Sequence, residues 1–173
     1  MISRRITELE LEICIAANRY SRFSSTRQCF AIVSRLGDGV VWYALIIALP
    51  IVYGASAIPV STLMIFTGLV SLFTYKIVKK TTGRERPCKH ENTITLTVDP
   101  LDQYSFPSGH TLHAVSFSTV AIHYYPELGW ILIPFSCMIA ASRVILGLHF
   151  PTDVIAGFLI GLLVASINIY FLG

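Results

Sequence analysis

Five stretches of the chain, 40–57, 60–78, 108–125, 128–146 and 151–172, contain between them only three residues charged at neutral pH, Lys76, Arg143 and Asp153. Each is close to the ~20 residues that cross the hydrocarbon core of a bilayer as a helix. Lipid offers no partner to a backbone N–H or C=O, so a spanning segment must satisfy its own, and the helix does so. The expectation is an all-α polytopic membrane helix bundle with about five transmembrane helices. Composition agrees: the 173 residues are 54% apolar and 13% charged, where soluble domains carry about 25% charged residues.

Residues 5–36 read differently, as two amphipathic helices lying along a membrane rather than crossing it. Ile6, Leu9, Ile13 and Ala16 recur at helical spacing while Glu8, Glu12 and Arg19 take other positions. After Ser24-Ser25-Thr26, the residues Cys29, Phe30, Val33 and Leu36 repeat the pattern, and Gly37-Asp38-Gly39 ends it. The expected organisation is an interfacial arm over 1–38 and a transmembrane domain over 39–173. Glu8, Glu10 and Glu12 interrupt the apolar run that a cleaved leader needs, so no cleavage is expected. Pro50 predicts a kink in the first span, Pro59 a tight turn after it, and Lys76 snorkels near the end of the second. In the polar segment 79–106, residues 93–98 alternate like a strand, although no partner strand is visible.

Two function classes fall away. The net charge of +3 could suggest nucleic acid, but the basic residues flank apolar spans and are not interleaved with aromatics. Cys14, Cys29, Cys88 and Cys137 have neither CxxC nor metal-ligand spacing and read as reduced packing residues.

The chemistry lies in three clusters. Lys79, Arg86 and Arg143 would suit a phosphate dianion, the guanidinium forks matching its oxygens. Arg143 stands between Ala140-Ala141-Ser142 and Val144-Ile145-Leu146, where a cation needs a buried anion or a route to water. Ser108 can cap a helix, Gly109 lets backbone approach a ligand, and His110 follows one turn inside, placed to donate a proton. His149 and Asp153 are four apart at a helix start marked by Pro151. A carboxylate on one imidazole nitrogen leaves the other free as a nucleophile. His113 reads as packing, and His90 and His123 carry no signal. The histidines lack HExxH spacing, and three cations can neutralise phosphate without a metal, so no metal and no cofactor is expected. Counting spans puts the ends that carry all three clusters on one membrane face, converging on one pocket.

Lys79-x6-Arg86-Pro87, Pro107-Ser108-Gly109-His110 and Ser142-Arg143-x5-His149-x3-Asp153 together resemble the three-part signature of the type 2 phosphatidic acid phosphatase superfamily. Vanadium haloperoxidases, bacterial acid phosphatases and glucose-6-phosphatase share it. The resemblance covers 37–173, with order and spacing intact. It implies that His149 attacks phosphorus and forms a phosphohistidine, oriented by Asp153. His110 protonates the leaving alkoxide and then activates water, and Lys79, Arg86 and Arg143 bind the phosphoryl oxygens with help from Ser108 and Gly109. The implied activity is metal-independent hydrolysis of a lipid phosphate: phosphatidic acid, phosphatidylglycerophosphate or a polyprenyl phosphate or diphosphate. Alternatives are phosphoryl transfer from the same His149 to another lipid and, less favoured for a chain of this hydropathy, a vanadium-dependent haloperoxidase.

The expected partners are the lipid phosphate substrate and membrane lipids, in the inner cell membrane. Many superfamily members have six spans, and the first of these has no counterpart here. All thirteen Lys/Arg fall on the site's side of the span count, six of them in the arm, and the opposite side has only Glu127. The positive-inside rule then turns the pocket toward the cytoplasm, whereas the resemblance to bacterial members points outward.

Overall fold

The computed structural model describes residues 2–100 and 102–173, with side chains from residue 5 onward. Eight α-helices are present among them: α1 Ile2–Asn18, α2 Ser24–Leu36, α3 Val40–Tyr53, α4 Ile58–Thr82, a single turn α5 Pro87–His90, α6 Gly109–Tyr124, α7 Gly129–Ile145 and α8 Pro151–Leu172. Local chemistry sets their ends. Pro59 lies in the first turn of α4, and Gly83, at φ +59°, closes its end by donating to Lys79 O at 3.2 Å. α8 opens on Pro151, and Asp153 reaches back to accept the Phe150 N–H at 2.8 Å.

Residues 93–98 form no strand. A strand needs a partner ladder, and none of the described residues supplies one. Ile94 instead buries itself against Cys14 and Phe150 as a loop anchor.

The helix at the centre is α6, which packs most extensively on α8 and also on α4 and α7. Leu112, Ala114, Val120 and Ala121 are fully buried along it. Small and hydroxyl residues let the neighbours close in. Ser71 and Ser116 Oγ atoms are 2.9 Å apart, Asn168 donates to Thr67 Oγ1 at 3.1 Å, and Ser118 meets Ser136 at 2.9 Å. On α8, Gly157 and Gly161 lie under α6 so closely that an added Cβ would come within 2.5 Å of Ser108 O and Leu112 O. Gly157→Val should therefore destabilise the bundle by about 2 kcal/mol or more. It should also displace the start of α6, read as a lower melting temperature in detergent together with lost activity.

Among the described residues, three elements are long and apolar enough to cross a membrane, within Ala55–His90, Pro126–Ile145 and Pro151–Leu172. α2 and α3, bent by 54° at their junction, add a fourth if taken as one span. The expected five is thus not reached by length. α6 has 16 residues and rises only about 24 Å, short of a ~30 Å hydrocarbon core.

The arm lies on the bundle with α1 against α7 and α8 and α2 against α7. Ile6, Leu9 and Ile13 are exposed. The face toward protein mixes apolar Leu11 and Ile15 with polar groups. Glu10, Cys14 and Asn18, each one helical turn from the next, are buried there. Glu10 accepts from Thr152 N at 2.8 Å, the Cys14 thiol donates to His149 O at 3.7 Å, and Asn18 donates to Ile145 O at 3.0 Å. The arm is thereby stitched to the loop that carries His149. Burial first, then the Glu10 charge, pushes the Cys14 thiol up to about 12, so it stays protonated.

Candidate active site

A cavity of about 540 Å³ opens between α3, α4 and α6. One end is polar, lined by Lys79, Arg86, Asp102, His110, Arg143 and His149. The rest is apolar, with Trp42, Tyr43 and Ile47 from α3, Ile65 and Leu69 from α4, and Phe117 from α6. Residues 64 apart in sequence, Lys79 and Arg143, meet here because successive helices return the chain to the same end of the bundle.

The loop after α7 builds the centre. Arg143 O accepts both the Leu148 and the His149 N–H at 3.0 Å, which folds the chain back and aims the imidazole at the cavity. His149 is 2% exposed, and its Nε2 lies 3.3 Å from Arg86 Nη1. Burial foremost, then the neighbouring guanidiniums, outweighs the Asp153 carboxylate and pushes its pKa down to about 3. The ring is thus neutral, with a lone pair available, throughout the physiological range.

Behind it Asp153 is fully buried. Its Oδ2 accepts from Phe150 N at 2.8 Å and from Ser105 Oγ in a short bond, and its Oδ1 accepts from Arg84 at 2.7 Å. His149 Nδ1 is 3.7 Å from Asp153 Oδ2, beyond hydrogen-bond length, and has no other partner. The pair is adjacent but open. Arg84 also bonds Glu10 at 2.7 Å and stacks 4.2 Å over the Phe150 ring, joining the arm to Asp153.

The cations differ in their company. Asp102 Oδ1 receives both Lys79 Nζ at 2.6 Å and Arg86 Nη2 at 2.9 Å. Arg143, 3% exposed, has no carboxylate at ion-pairing distance among the described residues. Its Nη1 donates to Ser34 Oγ at 2.6 Å, and its Nε has no partner. A buried cation left in this state calls for an anion.

Of the residues expected from sequence, Lys79, Arg86, Gly109, His110, Arg143 and His149 line the one cavity. Ser108 does not. It is fully buried, its N–H donates to Asp153 O at 2.9 Å, and its hydroxyl oxygen caps α6. His113 lines the wall and donates from Nδ1 to Gly109 O at 2.9 Å. Asp38, Arg84, Asp102 and Glu10 were not singled out as site residues. Each lies in a loop or on a helix face whose partner is fixed only by tertiary packing.

An apolar helix bundle that gathers buried cations and two imidazoles at one end of a largely apolar cavity has the make-up of an integral-membrane phosphatase. The family model of the PAP2 superfamily matches residues 57–172, and the chain belongs to that superfamily. It is 28% identical over 152 residues to the undecaprenyl-diphosphatase of Sulfolobus acidocaldarius, covering 87% of this chain and 72% of that one. Against the lipid A 1-phosphatase of Rhizobium etli it is 29% identical over 104 residues, 58% of this chain and 43% of that one. Aquifex aeolicus LpxE superposes with a TM-score of 0.75 at 29% identity, covering 94% of this chain and 96% of that one. The fold is also that of the PAP2-type phosphatidylglycerolphosphate phosphatase of Bacillus subtilis, with a TM-score of 0.79 at 23% identity over 96% of this chain and 86% of that one. The protein is a membrane phosphatase of PAP2 type, a hydrolase of phosphoric esters.

Proposed function

We propose that this phosphatase hydrolyses a lipid monophosphate or diphosphate through a phosphohistidine on His149. The observation that carries the reading is Arg143, a buried guanidinium with an unpartnered Nε beside a neutral, buried imidazole. With Lys79 and Arg86 it would hold the phosphoryl oxygens, and Gly109 would let the α6 backbone come close. His149 Nε2 would form the bond to phosphorus as the ester P–O bond breaks, and Asp153 would steady the ring. His110 would give its proton to the leaving oxygen and then take one from the attacking water.

The apolar length of the cavity supports a chain-bearing substrate, since its α3 and α4 walls offer contact to acyl or prenyl methylenes. Relatives named as undecaprenyl-diphosphatase and lipid A 1-phosphatase support the same class. The test is phosphate release in EDTA from phosphatidic acid, phosphatidylglycerophosphate and undecaprenyl phosphate and diphosphate in mixed micelles. Release from none of these discards the reading, and transfer of label to an added lipid instead of water makes the protein a phosphotransferase.

On this reading residues 1–38 form an arm in the headgroup region of the inner membrane, and 39–173 carry the site. The six arm arginines favour a cytoplasmic face. A variant keeping only Cys29, which is exposed on α2, should react with an impermeant maleimide in inside-out vesicles and not in intact cells. Labelling in intact cells would place the site outside.

A further inference from the structure

His149 is not the only imidazole paired with a carboxylate. His110 Nε2 lies 2.5 Å from Asp38 Oδ1, and among the described residues this is the sole side-chain hydrogen bond of either. Asp38 enters from the turn between α2 and α3, upstream of the region that matches the family model. The turn is built for close approach. A Cβ on Gly37 would meet Ile139 Cδ1 at 3.1 Å, and Gly39 adopts φ +138°, which side-chain-bearing residues rarely take. Asp38 also has guanidiniums in its field, those of Arg35 and Arg143, yet neither reaches ion-pairing distance. A carboxylate placed only for charge balance would take the nearer fork of an arginine. This one is spent on an imidazole that is 11% exposed.

We infer that Asp38 is a positioning residue for the acid–base step, holding the His110 ring by Nε2 so that Nδ1 is the nitrogen that exchanges protons with the substrate. The inference rests on the proposed role of His110. With Nε2 turned to a carboxylate, the neutral ring keeps its proton there and offers a lone pair at Nδ1, and the cation carries N–H on both nitrogens. Nδ1 has no hydrogen-bond partner among the described residues.

In the first step the His149 Nε2 lone pair bonds to phosphorus. The P–O bond to the lipid breaks, its pair stays on the leaving oxygen, and that oxygen takes the Nδ1 proton of cationic His110. In the second, water attacks phosphorus while neutral His110 accepts the water proton at Nδ1. The P–N bond then breaks and returns its pair to His149. Asp38 faces a cation before the first step and after the second, and a neutral N–H between them.

The groups around His110 decide the pH dependence. Burial opposes its charge most, Arg143 on α7 and His113 on its own helix oppose it as well, and Asp38 supports it. Across the cavity stand Lys79, Arg86, Asp102 and His149. The bond to His110 is the largest influence holding the Asp38 carboxyl below its usual range, and by reciprocity Asp38 favours the imidazolium. Removing that carboxylate loosens the ring's hold on its proton. The protonated, acid-competent fraction then disappears at lower pH, so the basic limb of activity moves toward acid.

The experiment compares wild type, Asp38→Asn, Asp38→Glu and His110→Asn in micelles with EDTA. It follows kcat/KM from pH 5 to 9 on dioleoyl phosphatidic acid, whose alkoxide needs a proton to leave, and on 4-nitrophenyl phosphate, whose phenolate does not. Asp38→Asn should lose about 10- to 100-fold on the lipid ester and less than about threefold on the aryl ester, with the basic limb shifted acidward and the melting temperature retained. Asp38→Glu should recover part of the loss. An equal fall on both esters with an unmoved limb, or no fall at all, overturns the inference and leaves Asp38 a loop anchor. His110→Asn separates the two claims: a loss confined to the lipid ester upholds its acid role whatever Asp38 does, and a uniform loss removes that role and the inference with it.

Discussion

Phosphate release should fall by roughly 10⁴-fold or more when His149 is replaced by alanine, because no other described side chain is placed to take its covalent part. The fold should survive the change. Asp153 keeps its bonds to Arg84, Ser105 and the Phe150 N–H, and the loop keeps both hydrogen bonds to Arg143 O, none of which uses the imidazole. The variant should still be stabilised against heat by inorganic phosphate or vanadate, since the three cations remain. Quenching wild type with labelled substrate in alkaline detergent, in which an N-phosphoryl imidazole survives, should yield a labelled histidine that the variant lacks. Hydrolysis persisting in the His149→Ala protein, at a rate within tenfold of wild type, would remove the phosphohistidine from the mechanism.

Arg143→Met should separate activity from stability in opposite directions. Losing one preorganised cation from the phosphoryl site should reduce kcat/KM by about 10²- to 10³-fold. The empty protein, however, should melt no lower than wild type, and higher if anything. Arg143 is buried without a carboxylate, its Nε unpartnered, and an apolar side chain of similar length relieves that desolvation. The thermal shift produced by added phosphate should vanish. Arg143→Lys should not rescue, because a point charge cannot reproduce a planar fork. A variant that melts well below wild type while keeping its phosphate shift would make Arg143 a structural residue.

What could be read in the sequence divides along a physical line. Arg143 was legible because it interrupts an apolar span, where lipid demands a reason for a charge, and Lys79, Arg86, His110 and His149 because they stand at or between the ends of such spans in one ordered pattern. Span order alone was enough to bring them together. Helix ends were legible to within a few residues where Pro59 or Pro151 fixes them. Ser108 shows the limit. Its capping role followed from sequence, but which way its N–H faces depended on α8, whose Asp153 O takes it. Asp38, Arg84 and Asp102 are ordinary loop charges in one dimension and become informative only through their partners. In the arm, hydropathy found the outward stripe of Ile6, Leu9 and Ile13. It had no means of ranking Glu10, Cys14 and Asn18 as turned toward protein, because they are held there by hydrogen bonds to the elements beneath and not by hydropathy.

Asp102 carries one more consequence. Between turnovers Lys79 and Arg86 share its carboxylate, which remains about a third exposed to water and is therefore exchangeable. An arriving phosphate does not fill a vacant hole; it trades places with a resident counter-ion. Substrate and released phosphate are handicapped alike by that competition, so the grip on both resting states is slackened without touching the barrier between them. An enzyme working on a lipid concentrated in its own membrane has little need of tight capture, and much to gain from letting go.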